Sequence, residues 1–382
     1  MSRVWPLLLA VLLGGCSVFG DEDNAAPPAR LESIDARVHF HRLWSHDTGK
    51  GTDGRLLKLV PAIDGDSLFV ADHSGAVERL ALADGKRLWR TRTGVSLSAG
   101  PGTGEGLVLV GGSDGELLAL DREDGSERWR VAVSSEVLSV PRIAYDVVVV
   151  QTVDGNLAGY SASDGSRLWV FDRTVPVLTL RGTSTPLIID NVVLAGFATG
   201  KLAALDITSG RQLWETTVTV PHGRSELDRI VDIDADPVLR DSILYVASFQ
   251  GQLAAIDLAK GRTLWKRDMS AYAGLAVDAR QVYLTDDQSQ VWALDRFSGA
   301  SMWKQDKLLH RSLTGPALIE DYLTVGDFAG YLHLLLRSSG EIVGRVRVDS
   351  KGIQVAPVVR DGRLYVLGAG GKLVAYALEA RE

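Results

Sequence analysis

The sequence predicts an all-β protein, an eight-bladed β-propeller of four-stranded antiparallel blades whose ring is closed by the N-terminal strand. Three observations carry this. A stretch reading roughly Gly-x-Leu-x-Ala-Leu-Asp-x-x-x-Gly-x-x-x-Trp recurs along the chain, it does so at a near-constant period, and the two ends of the chain complement each other. Gly200 to Trp214 (GKLAALDITSGRQLW) is the clearest copy; Gly75 to Trp89, Gly115 to Trp129, Gly155 to Trp169 and Gly251 to Trp265 keep its spacing. Ser289 to Trp303 replaces the opening glycine, and Gly330 to Gly344 carries glycine in the tryptophan slot. The openings fall at 75, 115, 155, 200, 251, 289, 330 and 371, and a period near 40 with strand-like content means a propeller, solenoid or array.

Each unit reads as antiparallel strands, because short apolar runs alternate with turns containing Gly and Asp. In the second unit, Ser96 to Thr103 is expected as the innermost strand, Gly106 to Gly112 as the next, and Ser113-Asp114-Gly115 as a tight turn. Glu116 to Asp121 forms the third strand, Arg122 to Gly125 another turn, and Glu127 to Val133 carries Trp129 outward.

The eighth unit opens at Gly371, so its tryptophan slot would lie beyond Glu382 and its last strand is missing. Val38 to Ser45 (VHFHRLWS) is an unassigned strand ending in Trp44. It is expected to complete the eighth blade, joining the ring and leaving no open sheet edge. The propeller then spans residues 37–382.

Structural roles are expected for the repeated residues. Trp44, Trp89, Trp129, Trp169, Trp214, Trp265 and Trp303 can each bury a ring between blades, worth about 2–3 kcal/mol for a large apolar side chain, with a partner for the indole N–H. The turn Asp and Gly supply a local hydrogen bond and positive φ.

The N-terminus sets the expected location. Arg3 precedes an apolar run from Val4 to Leu13, too short to span a bilayer of about 30 Å and laid out as an export signal over residues 1–15. It ends in Leu13-Gly14-Gly15-Cys16, which resembles a bacterial lipoprotein signal, and Cys16 is the only cysteine. Cys16 is therefore expected to be lipidated and to become the first mature residue. Acyl chains contribute about 0.8 kcal/mol per buried CH₂ and hold such a protein at the membrane. Ser17, rather than Asp, follows the cysteine, which by the sorting logic of such lipoproteins points to the periplasmic face of the outer membrane. Residues 16–36, with Asp21, Glu22, Asp23 and Pro27-Pro28, read as a lipidated N-terminus and flexible tether.

Composition removes several functions. The net charge of −7 offers no basic surface for nucleic acid, and one cysteine cannot form an internal disulfide. HExxH and CxxC motifs are absent, and Gly100 to Gly106 lacks the strand-then-helix setting of a dinucleotide fingerprint. Gly200-Lys201 and Gly371-Lys372 are repeat openings rather than phosphate loops. His39 and His41 share a strand face without an acidic or cysteine partner nearby in sequence. Asp232, Asp234 and Asp236 alternate like a calcium loop but lack its central Gly and terminal Glu, position 243 being Ile. No catalytic residue, metal or cofactor is expected.

The repeat is similar to the tryptophan-docking motif of eight-bladed quinoprotein alcohol dehydrogenases. That resemblance implies the propeller fold and, as an alternative function, a periplasmic dehydrogenase using pyrroloquinoline quinone and calcium. Those enzymes are longer and commonly carry an adjacent cysteine pair that this chain cannot have. Function has to be argued from a site rather than from the fold.

The connections following Trp169 and Trp214 are longer than most, and as consecutive last-to-first-strand connections they should lie side by side on one face. Such insertions commonly form a binding face. The first contains VPVLTLRGTSTP, with Leu178 and Leu180 on one side of an extended segment and Arg181 on the other; the second contains SELDRIVDIDADP, with Asp232 and Asp234 aligned. Leucines beside an arginine and two carboxylates would make an apolar anchor with a charged rim, a common interface composition.

Lipobox, eight quinoprotein-type repeats, LTLRG after the third repeat tryptophan and DRIVDID after the fourth together resemble the BamB family, lipoprotein subunits of the outer-membrane β-barrel assembly machinery. The resemblance covers the whole mature chain. It implies a non-catalytic scaffold in which Leu178, Leu180, Arg181, Asp232 and Asp234 contact the periplasmic POTRA repeats of the barrel-forming subunit, BamA. The other lipoproteins of the machinery, and unfolded outer-membrane proteins, are the further partners it implies.

Overall fold

A computed structural model describes residues 26–380. The lipidation expected at Cys16 lies outside them. Eight antiparallel sheets form the ring, seven of them with their four blade strands paired in sequence order. Seven blades are continuous in the chain. The eighth takes Val358–Arg360, Arg363–Leu367 and Lys372–Ala380 from the C-terminus, and Val38–Asp47 from the N-terminus as its outer strand, paired from Val38 opposite Ala380 to Asp47 opposite Lys372 with one register shift between Arg42 and Trp44. The closure expected from Trp44 is the closure formed. We number the blades from the one ending in Trp89.

In the second blade the strands are Leu97–Gly104, Leu107–Gly112, Glu116–Asp121 and Glu127–Ala132, each within two residues of its expected bounds. A fifth element, Lys58–Leu59, pairs parallel with Leu97–Gly104 along the channel side. It comes from the connection entering blade 1, where residues 48–61 provide enough chain to cross to the neighbouring blade. The middle strands are buried from end to end, as at Ser67–Ala71 and Leu107–Gly112, whereas outer strands alternate with solvent. Apolar side chains of adjacent blades interleave: Leu109 and Leu117 of blade 2 share a core with Val148 and Val150 of blade 3.

The repeat motif has a stereochemical basis. The rings of Trp44, Trp89, Trp129, Trp169, Trp214, Trp265 and Trp303 lie over Gly85, Gly125, Gly165, Gly210, Gly261, Gly299 and Gly340 respectively, each the turn glycine of the next blade. A Cβ on any of these glycines would fall 2.5–2.8 Å from the ring, and all seven have φ between +63° and +74°. Two requirements thus meet at one position, and only glycine satisfies both. The indoles of Trp89, Trp129, Trp169, Trp265 and Trp303 donate to Arg122, Ala162, Ile207, Arg296 and Arg337 carbonyls at 2.7–3.0 Å.

Gly344, in the seventh slot, has a different neighbour. The eighth blade draws its outer strand from the N-terminus, so it lacks the Asp-x-x-x-Gly turn that a tryptophan would cover. The backbone of that strand enters instead: a Cβ on Gly344 would lie 2.8 Å from the Val38 carbonyl oxygen, and Arg37 N–H donates to Val343 O at 3.0 Å.

Closing the ring does not remove sheet edges, contrary to the sequence-based expectation, because every blade keeps its outer strand at the rim. Each of those eight strands carries a β-bulge immediately before the tryptophan slot, at Leu43, Leu88, Arg128, Leu168, Leu213, Leu264, Met302 and Val343. A bulge breaks the run of free backbone groups that another chain would need for pairing. It also explains why leucines beside buried tryptophans face water, as Leu88 and Leu168 do.

Candidate partner-binding site

Strand direction alternates within a blade, so the connections between blades and the turns between second and third strands share one face. In seven blades a backbone N–H of that turn donates to the connection entering the blade: His73 to Gly51, Ser113 to Ser96, Val153 to Glu136, Phe249 to Asp232, Asp287 to Ser270, Phe328 to Arg311 and Ala369 to Gly352. Among the described residues blade 4 has no counterpart of this bond. Its entering connection, 172–186, is the one that holds LTLRG.

That connection is held from the neighbouring insertion instead. The Asp232 carboxylate accepts the Leu180 N–H, while its own carbonyl accepts Phe249 N–H at 2.9 Å. Asp234 packs against Gly182, where a Cβ would fall 2.9 Å from its Cγ; the glycine of LTLRG is therefore the residue that lets the two insertions close. Asp236 accepts Lys58 Nζ at 2.5 Å and Thr185 N–H at 2.6 Å, and Lys58 also donates to Thr183 O at 2.9 Å. The two insertions lie side by side, as their positions in the repeat predict.

The carboxylates do not form the exposed rim that alternation suggested. Asp232 is 1% exposed, and Asp234 is half-buried. Burial, reinforced by the nearby Asp234, pushes the Asp232 carboxyl up to about 7 against the pull of the Leu180 N–H. Burial also raises Asp234, to about 6, with Lys58 opposing and Asp236 adding to the rise. One Asp232 oxygen, Oδ1, is buried without a partner. These are the properties of groups that hold a loop in place.

The outward surface is apolar and cationic. Leu178 is 40% exposed, and Val177 beside it, which sequence reasoning passed over, is 91% exposed. Leu180 is half-buried and lines a shallow cleft with Thr179, Phe197 and Asp234. Arg181 is exposed and forms a paired contact with Glu136 of the preceding connection, at 2.8 and 2.9 Å. Such a surface pair contributes little to stability and leaves the guanidinium able to exchange partners. Lys58 and Glu136 also went unrecognised in the sequence, since nothing local marks them as neighbours of the insertions, and the parts played by Gly182 and Asp236 within the insertions were not legible there. Among the described residues no group of three or more His, Cys, Asp or Glu side chains could hold a metal ion.

Comparison with known proteins agrees with this architecture. A family profile described as "Outer membrane protein assembly factor BamB" matches residues 73–305. A protein of that name from Pseudomonas aeruginosa is 44% identical over 372 residues, covering 97% of each chain. The chain belongs to the BamB family. The crystal structure of BamB from Moraxella catarrhalis superposes with a TM-score of 0.82 at 30% identity, over 89% of this chain and all of that one. Against the BamB match, the quinohemoprotein alcohol dehydrogenase of Comamonas testosteroni shares the fold alone, with a TM-score of 0.71 at 15% identity over 92% of this chain and 79% of that one.

Proposed function

We propose that this chain is a non-catalytic scaffold of the outer-membrane β-barrel assembly machinery, docking on the POTRA region of the BamA-type barrel-forming subunit. The observation that carries the reading is the exposed pair Val177 and Leu178 beside Arg181, on a connection held by its neighbour rather than by its own blade. Leu178, Leu180 and Arg181 supply the contact surface. Asp232 and Asp234 fix its shape from beneath, and exposed apolar side chains beside an arginine offer a partner an apolar contact with a charged rim.

In this reading Cys16 carries the lipid that keeps the disc at the periplasmic face of the outer membrane, among the other lipoproteins of the machinery. The scaffold assists assembly and insertion of outer-membrane proteins by holding the barrel-forming subunit and its unfolded clients together. Bulges in all eight outer strands disfavour strand addition at the rim. Capture with the full-length lipidated protein from detergent-solubilised envelope tests this function. Retention of the barrel-forming subunit is expected, and its absence at normal expression would overturn the reading.

A further inference from the structure

Blade 7 contains a buried charged cluster that neither the ring nor the candidate docking surface requires. Asp327 and His333 are fully buried, and Arg311 is 6% exposed. The turn aspartates of blades 1 and 6, Asp72 and Asp286, cap their own turns, and Asp327 does likewise through Ala329 and Tyr331 N–H. Its second oxygen, however, accepts Arg311 Nε at 2.8 Å and His333 Nε2 at 3.0 Å. Arg345 Nε donates to His333 Nδ1 at 3.2 Å, which fixes the imidazole as neutral with its proton on Nε2. Burying such a network costs desolvation, so its far ends matter.

Both arginines end on the same segment. Arg311 Nη1 donates to Ala29 O at 2.9 Å, and Arg345 Nη1 donates to Glu32 O at 2.8 Å. Ala29 N–H donates to Leu309 O at 2.9 Å, and Arg37 N–H to Val343 O at 3.0 Å. Leu31 and Ile34 pack on the core shared by blades 6 and 7, a cluster that includes Leu308 and Ile342. The end of the expected tether is thus a clamped strap, its carbonyls supplied with charged donors in place of strand partners.

Its course has a direction. Val38–Asp47 starts at the face bearing the turns between third and fourth strands and ends at the opposite face, where Thr48 N–H meets Gly371 O at 2.9 Å. The strap runs the other way, so that Ala29 lies beside Leu309 and Arg311 in the connection from blade 6 to blade 7. That is the face carrying 172–186 and 218–237.

We propose that Ala29–Arg37 is a strap that delivers the membrane-anchored end to this face, so that the candidate docking surface looks toward the membrane. This rests on the lipidation of Cys16 proposed above. Ala29 stands 13 positions after Cys16, a reach of at most about 45 Å when fully extended.

The mature lipidated protein, reconstituted on phosphatidylethanolamine/phosphatidylglycerol vesicles with headgroup-attached quencher, tests the facing. A fluorophore at Glu226→Cys, on the docking face, should be quenched at least threefold more than one at Ala83→Cys, on the opposite face. Equal or reversed quenching overturns the proposal. Leu31→Asp combined with Ile34→Asp leaves the buried cluster untouched and should abolish the difference; a difference that survives overturns the role of the strap. Hydrogen exchange separates the two premises. The Ala29 to Arg37 stretch should exchange at least tenfold more slowly in the native sequence than in the double variant, and an unprotected strap contradicts the proposal whatever the lipid does. A protected strap on protein that fails to bind vesicles overturns the anchor, and with it the facing of the disc.

Discussion

The carboxylate of Asp232 accepts the backbone N–H of Leu180, 52 residues earlier in the chain. This bond joins the two insertions that interrupt the repeat. It takes the place of the backbone bond by which the other seven blades hold their entering connection. A hydrogen bond contributes about 0.5–1.5 kcal/mol net, and leaving a buried N–H unpaired costs about 1–3 kcal/mol. Asp232→Ala should therefore raise exchange at the Leu180 amide at least tenfold while leaving the blade 1 and blade 7 strands as protected as before. Exchange measured by mass spectrometry reads both regions at once.

The same contact should respond to pH. The Asp232 carboxyl holds its proton up to about 7 in the folded protein, whereas an unfolded aspartate releases it near 3.9. Between those values the native state binds more protons, so this group's contribution falls as pH rises and is lost above about pH 7. Protection of residues 172–186, corrected for intrinsic exchange, should be greater at pH 6 than at pH 8, and Asp232→Asn should flatten the dependence. His333 acts in the opposite sense. Burial holds its imidazole below the ordinary range, so blade 7 loses stability as pH falls through about 6.5.

Two glycine substitutions separate backbone strain from ring contact. Gly54 has φ +75° with nothing within 4 Å, and Gly210 has φ +67° beneath the Trp169 ring. Alanine at either position incurs about 1–2 kcal/mol for the left-handed backbone, and at Gly210 a further 1–3 kcal/mol of overpacking. Urea denaturation should show Gly210→Ala as clearly the more destabilised. Equal losses would mean that the tryptophan ring does not constrain the turn.

Gly344→Trp should weaken closure instead of restoring the repeat, because the Val38 carbonyl fills the slot. Limited proteolysis should cut near residues 37–47 faster in the variant than in the native protein. Unchanged cleavage would show that the N-terminal strand can yield the space.

How far the fold could be read from the sequence depended on whether each constraint was local. Six tryptophan-bearing units, a seventh with glycine in the slot and the unpaired strand at Trp44 were sufficient for eight blades and their closure, since period and alternation are properties of neighbouring residues. The glycine at 344 was visible as a departure but not explicable, because its cause is a strand more than 300 positions away. Alternation placed Asp232 and Asp234 on one side of a segment without saying which side met water, and the structure turns Asp232 inward. Val177 was missed for the same reason. Lys58 and Asp236 meet across 178 positions, and the bulges that expose Leu88 and Leu168 are a matter of pairing register, which an isolated strand does not encode.

The central claim is that docking occurs through the connection entering blade 4. The most direct measurement is the affinity of the purified POTRA region of the barrel-forming subunit for the native protein, for Leu178→Glu and for Leu88→Glu, whose target is comparably exposed on the rim of blade 1. Leu178→Glu should weaken binding at least tenfold, the effect of losing about 1.4 kcal/mol, while Leu88→Glu binds as the native protein does. Native affinity retained by Leu178→Glu would contradict the account.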